Sequence, residues 1–145
     1  MFITKVTTVT DELVSAFAHL IPQLKLTYPP PGWQELDVLL SSNSSTLLAA
    51  RYPDENAAIA GILTLIVYRV PTGTRARIED VVVDEAMRGK GIGEALVHHA
   101  LEMARDAGAD GVALTSNPRR EAANRLYQRV GFQPWQTNLY FFKFL

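Results

Sequence analysis

Residues 88–93 read Arg-Gly-Lys-Gly-Ile-Gly; they follow the run Ile78–Val83 and open a helical pattern. The glycines strip side chains from a loop, so backbone N–H groups can approach a ligand closely. A helix N-terminus adds unpaired N–H groups and a partial positive charge. Arg88 and Lys90 add full charges. Arg88, Gly89, Lys90, Gly91, Ile92 and Gly93 thus form an anion site suited to a diphosphate. The spacing excludes two common phosphate loops. No Ser or Thr follows Lys90, as G-x-x-x-x-G-K-[ST] requires, and Gly89, Gly91 and Gly93 are spaced G-x-G-x-G rather than G-x-G-x-x-G.

Strands and helices must hold that loop in place. Residues 2–9 alternate loosely as a first strand, and Asp11 caps a helix across Glu12 to about Leu24. Tyr28-Pro29-Pro30-Pro31-Gly32 forbids helix and makes a stiff connector to a short helix, Trp33 to Leu40. Thr46–Tyr52 and Ala58–Val70 read as an antiparallel hairpin. Arg75–Asp84 is a further strand, with Arg75, Arg77, Glu79, Val81 and Val83 on one face. Valines 81–83 suggest burial on both faces. From Gly91 the period turns helical: Ile92, Leu96, Ala100, Met103 and Ala107 share a stripe that Gly108 ends. Gly111–Thr115 reads as a short strand parallel to the one before the helix. Asn117 caps a second helix with Pro118 at its first position, inner residues Ala123, Leu126, Tyr127 and Val130, and a stop at Gly131. Phe132–Trp135 and Leu139–Leu145 read as two last strands. The order predicts one α/β (α+β) domain over residues 1–145, with a mixed, mostly antiparallel sheet of about seven strands and about four flanking helices.

Composition bounds the function. With 145 residues, 48% hydrophobic content and a net charge of −1, the chain can bury one core and gives no electrostatic case for nucleic acid. Cysteine is absent, which removes disulfides, thiolate nucleophiles and thiolate metal sites and suits a reducing cytoplasm. The longest near-apolar run, Ala57–Tyr68, is too short to span a bilayer, and the N-terminus has no signal-peptide pattern, so no membrane role is expected. His98 and His99 share a helix with only His19 elsewhere, so no metal site is expected.

The loop fits [Q/R]-x-x-G-x-[G/A], with Arg88, Gly91 and Gly93 in the defining places. Ile-Glu-Asp-Val-Val-Val-Asp precedes it; Leu-Thr-Ser-Asn and then Asn-Arg-Leu-Tyr-Gln-Arg-Val-Gly-Phe follow. This stretch resembles the GNAT superfamily of N-acetyltransferases, and the element order is similar across nearly the whole chain. The N-terminal third carries no diagnostic motif. The pair Glu79-Asp80 ahead of Val81 resembles small-amine and aminosugar-phosphate acetyltransferases.

The resemblance implies acetyl-CoA as co-substrate, with its diphosphate on residues 88–93. Its pantetheine arm would lie along backbone groups of Val81, Val82 and Val83, in a splayed gap between that strand and the next parallel one. The implied reaction is acetyl transfer to the primary amine of a small molecule, by direct attack in a ternary complex. Tyr127 matches the family's tyrosine and is the candidate general acid for the departing thiolate. Glu79 is the candidate base, directly or through water, and needs desolvation to be basic enough. Asp80, expected on the opposite strand face, is second choice. The family pattern often has Asn seven residues before the tyrosine; this chain has Arg120 there, which leaves Asn117 and Asn124 as candidate cofactor contacts. Tyr28 and Trp33, with Glu79, are candidates for lining the amine pocket. Arg69, Arg75 and Arg77 would suit an anionic amine.

Blander readings stand beside these. Tyr127 fits a core stripe, Glu79 a solvated carboxylate paired with Arg77 or Arg75, Asn117 a helix cap, and Tyr28 and Trp33 packing on the sheet. For function, the alternatives are acetylation of a protein N-terminus or lysine, and a module that binds acetyl-CoA without transfer. The apolar last strand, Leu139–Leu145, could pair with a second copy as a homodimer.

Overall fold

Two long antiparallel strands, β3 (Ile59–Val70) and β4 (Gly73–Val83), form the centre of the sheet. The computed structural model describes residues 1–145 as two units, Met1–Thr115 and Ser116–Leu145. The first unit also holds β1 (Phe2–Lys5), α1 (Asp11–Leu20), α2 (Trp33–Ser41), β2 (Ser45–Arg51), α3 (Ile92–Asp106) and β5 (Val112–Ala113). Strand order is β1-β2-β3-β4-β5; β5 joins β4 in parallel and the other neighbours are antiparallel. The mixed α/β class is as expected, with five strands in the sheet.

Period-two alternation gives the sheet two apolar faces. Leu47, Ile62 and Val82 face one side, where Leu13, Phe17 and Leu20 of α1 and Leu36 of α2 pack on them. The other face carries α3, and Gly61 is where the helix comes closest. A Cβ there would lie 3.2 Å from Ile92 Cγ2, Leu96 Cδ1 and the Val82 carbonyl oxygen. Gly61→Val is therefore expected to overpack the α3 contact and destabilise the fold by about 1–3 kcal/mol, read as a lower denaturant midpoint at unchanged slope.

Local details depart from the sequence reading for identifiable reasons. Thr10, not Asp11, caps α1: its Oγ1 accepts from the Leu13 N–H at 3.1 Å. The helix ends at Leu20 because Pro22 cannot donate back, and a 3-10 turn, Ile21–Leu24, follows. The buried face of α3 uses Val97 and Ala104, while Met103 is half-buried and Ala107, where the helix ends, is exposed.

The second unit contains α4 (Glu121–Val130), which Gly131 ends at φ 122°. The helix begins later than Asn117-Pro118 suggested. Asn117–Arg120 is a turn, closed by the Arg120 N–H on the Asn117 carbonyl at 3.0 Å, and Asn117 Oδ1 accepts from the Arg119 N–H at 2.9 Å. Asparagine stabilises such turns through its own side chain. Neither of the two last strands forms. Residues 132–145 have no strand assignment, and the Thr137 N–H bonds the Trp135 carbonyl at 3.0 Å in a turn. Strand-favouring side chains do not make a strand without a neighbour to pair with.

Candidate active site

The glycine loop has the geometry that its sequence requires. Gly89 and Gly91 both sit at φ +78°, in the left-handed region, and a Cβ built on either would meet nothing within 4 Å. The loop surface at these positions is bare backbone beside open space. Gly91 is the N-cap of α3, its carbonyl accepting from the Ala95 N–H at 3.0 Å. Ile92 and Gly93 are buried, so they can offer an anion only their backbone N–H groups. Arg88 Nε donates to the Val83 carbonyl at 3.4 Å, and Lys90 Nζ lies 5.6 Å over the Tyr52 ring. Both cations flank the loop.

A brace from α1 supports the segment that enters this loop. Asp84 Oδ2 lies 3.0 Å from His19 Nε2, and Asp84 Oδ1 accepts from the Ala86 N–H at 3.2 Å. Gln23 accepts from the Glu85 N–H at 2.9 Å through Oε1 and donates to Asp84 Oδ1 at 3.5 Å through Nε2. Burial works against the Asp84 charge, but the hydrogen bonds from Ala86, His19 and Gln23 outweigh it and hold the carboxyl below its ordinary range. The carboxylate's contribution to stability is thus present above the ordinary carboxyl pKa and is lost as pH falls through the lowered one. Sequence reading missed this brace, because no local pattern links residues 19 and 23 to 84.

Upstream of the loop, β4 pairs with β5 over a short stretch. Their ladder consists of Ala76↔Val112 and Arg77↔Ala113 and goes no further, so the expected parallel pair is present. Val82 is buried in the core, whereas Val81 and Val83, where β4 has left β5, are half-buried.

Within this stretch β4 carries a bulge. Thr64 pairs with Glu79 and Ile62 with Val82, so Leu63 alone stands opposite Asp80 and Val81. Asp80 takes up the extra residue at φ +50°. The expected face assignment changes in consequence. Glu79 and Val82, three positions apart, share the α1/α2 face, and Val81 and Val83 do not continue the Arg75-Arg77-Glu79 row. Asp80, expected to point away from Glu79, lines the same cavity as Glu79. This cavity, of about 430 Å³, is walled by Phe17, Leu24, Leu26, Tyr28, Leu39 and Ile66, with Glu35 as a third carboxylate. Tyr28 is part of this lining; Trp33 is not, and it is half-exposed. The Glu35 side chain accepts from the Gly32 N–H at 3.2 Å, and Gly-x-x-Glu before an apolar helix was the signal that could have located it. Glu79 Oε1 also accepts from Arg77 Nε at 3.4 Å. A second hollow, of about 270 Å³, is lined by Lys5, Leu40, Asn43 and Thr46 among others and shares no residue with β4 or the loop.

In the second unit, Tyr127 is buried and packs edge-on to Phe132, ring centroids 5.8 Å apart. Burial pushes its phenol pKa up, against a smaller opposing pull from Arg120. Asn124 Nδ2 donates to the Asn117 carbonyl at 3.1 Å, so the two candidate asparagines are bound to each other within the turn.

The family model described as acetyltransferase (GNAT) family matches residues 10–132. The chain belongs to the GNAT acetyltransferase family. Similar proteins include the aminoalkylphosphonate N-acetyltransferase of Salmonella typhimurium, 43% identical over 56 residues, covering 39% of this GNAT chain and 36% of that protein. The mycothiol acetyltransferase of Nocardiopsis dassonvillei is 42% identical over 59 residues, 41% of this chain and 18% of that protein. The matches thus span well under two thirds of these relatives. A crystal structure of a protein described as a probable acetyltransferase superposes with a TM-score of 0.86 at 22% identity, covering 100% of this chain and 99% of that one. That likeness shows the GNAT fold.

Proposed function

We propose that this chain is an acetyl-CoA-dependent N-acetyltransferase that acts on the primary amine of a small molecule in a ternary complex. One observation carries the reading: a helix-capping loop with two left-handed glycines and open space at both Cβ positions. These residues fit the diphosphate of acetyl-CoA. Backbone N–H groups of residues 89–93 would hold its oxygens, with Arg88 and Lys90 adding charge. The β4 edge beyond Arg77, where the β5 ladder has ended, leaves room for a strand-like pantetheine arm. Bound acetyl-CoA would supply an acyl group activated as a thioester.

The chain's own residues account for the remaining needs. Glu79 takes the proton of the incoming ammonium at a carboxylate oxygen, directly or through water. Tyr127 holds a proton at Oη for the departing sulfur, and its raised pKa keeps that proton in place at neutral pH. Backbone N–H groups of the Val81–Val83 stretch are the donors for developing negative charge on the acyl oxygen. A hollow of about 430 Å³ has the size of a small-molecule site. Relatives named for small amines, such as the aminoalkylphosphonate enzyme, support the same choice. We take residues 1–145 to act as one acetyltransferase domain, in the reducing cytoplasm that a chain without cysteine suits. No helix is long and apolar enough to cross a membrane.

Calorimetric titration of CoA into the purified chain tests the reading. Saturable heat is expected, and its absence would refute it. Gln23→Ala tests the brace. Removing the side chain that bonds the Glu85 N–H and Asp84 is expected to raise KM for acetyl-CoA about three- to tenfold, the loss of roughly one hydrogen bond, with kcat within a factor of two.

A further inference from the structure

Resting on the acetyl-transfer reading above, we propose that the acceptor is an apolar primary amine without an anionic group, held in the cavity between α1, α2 and the β4 bulge.

The charge of the lining decides against anionic acceptors. Glu35, Glu79 and Asp80 contribute carboxylates, and no Lys, Arg or His lines the cavity. The arginines that could have served an acceptor phosphate already have partners, and that of Arg77 is Glu79 of the lining itself. Arg75 donates to Asp110 at 2.6 Å and to Thr72 at 2.7 Å; Arg77 donates to Glu79; Arg69 reaches Thr74 Oγ1 at 3.5 Å. A phosphate entering here would lose its hydration, meet like charge and find beside the lining only Arg77, whose charge Glu79 already offsets. An ammonium has the opposite fate: it gains carboxylate partners where the bulge turns Asp80 to the side of Glu79.

The walls decide the rest of the molecule. Phe17, Leu24, Leu26, Leu39 and Ile66 offer hydrocarbon, and the hydroxyls in the lining are only those of Ser45, Thr64 and Tyr28. A sugar would bury several hydroxyls with few partners, each a cost. An aryl or alkyl body displaces water from apolar surface instead. The acceptor class is thus an arylalkylamine or alkylamine.

The test measures turnover and binding on the full chain. Because the protein has no cysteine, the thiol released from acetyl-CoA can be titrated with a thiol reagent without background from the protein. The probes are 2-phenylethylamine, glucosamine 6-phosphate and 2-aminoethylphosphonate, with calorimetric binding of each measured in parallel. The expected result is a kcat/KM for 2-phenylethylamine at least tenfold above both phosphorus-bearing amines. Asp80→Asn keeps a residue that tolerates the left-handed conformation. It is expected to raise KM for 2-phenylethylamine several-fold and narrow its lead. Equal or better use of a phosphorus-bearing amine, or no change in the ratio with Asp80→Asn, overturns the inference and leaves the acetyl-transfer reading intact. Binding of 2-phenylethylamine that Asp80→Asn weakens, without thiol release from any amine, supports the cavity's preference and refutes acetyl transfer. Neither binding nor release overturns both.

Discussion

Tyr127→Phe is expected to lower kcat by at least a hundredfold while the affinity for CoA stays within a factor of two. A positioned general acid is worth about 10²–10⁴ in rate, and only the hydroxyl is removed. The phenyl ring retains the edge-on contact with Phe132, so the variant should fold with a melting temperature near that of the parent. The pH dependence separates this role from a core tyrosine. Burial raises the phenol pKa above its ordinary value, so the acid remains loaded through neutral and mildly alkaline pH. In the parent, any loss of kcat from Tyr127 ionisation must lie above the ordinary phenol range. The sign for stability is the same: a raised pKa costs nothing below the ordinary phenol value and erodes stability as pH rises through the raised one. Thiol release across pH, in parent and variant, checks these expectations. Wild-type turnover in Tyr127→Phe would return the residue to the core stripe, and a protein that binds CoA but acetylates no amine would be the binding module.

The second large effect is expected at Gly91. Gly91→Val forces a β-branched residue into φ +78°, at a conformational cost of about 1–2 kcal/mol. No neighbouring atom lies within 4 Å of the new Cβ, so the fold should survive with a drop of a few degrees in melting temperature. The branched side chain would stand where a diphosphate must touch backbone. Losing two charge-assisted hydrogen bonds, at about 1.5–3 kcal/mol each, corresponds to more than a hundredfold in Kd. Calorimetry with CoA and a melting curve on the same sample check both halves. Unimpaired CoA binding in a folded Gly91→Val would show that the loop is only a strand-to-helix turn.

Much of this was legible because it is written in short-range chemistry. Gly-x-Gly before an amphipathic stripe can be recognised from six residues, and the parallel β4–β5 pair follows from the strand-helix-strand order. Thr10 displaced Asp11 as cap by one position, a choice that depends on where the first turn closes. The bulge was not legible. Asp80 is not a glycine, and nothing in Ile-Glu-Asp-Val-Val-Val says that one residue will be extra; that follows from the register set by β3, more than ten residues upstream. Missing it sent Asp80 to the wrong side and Val81 to the wrong row. The proline connector brings Tyr28 to the lining, whereas Trp33, at the first position of α2, has a half-exposed side chain outside it. The strand-favouring side chains of residues 132–145 do not form strands, because strand preference takes effect only where a neighbour offers a ladder.

The bulge makes β4 a strand with a phase change. Upstream of it, odd-numbered residues point toward α1 and α2; downstream, even-numbered ones do, and the next segment runs straight into the glycine loop. Deleting Asp80 would leave Glu79 opposite Thr64 and Val82 opposite Ile62 in a uniform pleat, with the layers on both sides of the strand unchanged and the left-handed carboxylate gone. The surplus residue thus lets one strand present two consecutive carboxylates to the same hollow, which a regular alternation would send to opposite faces.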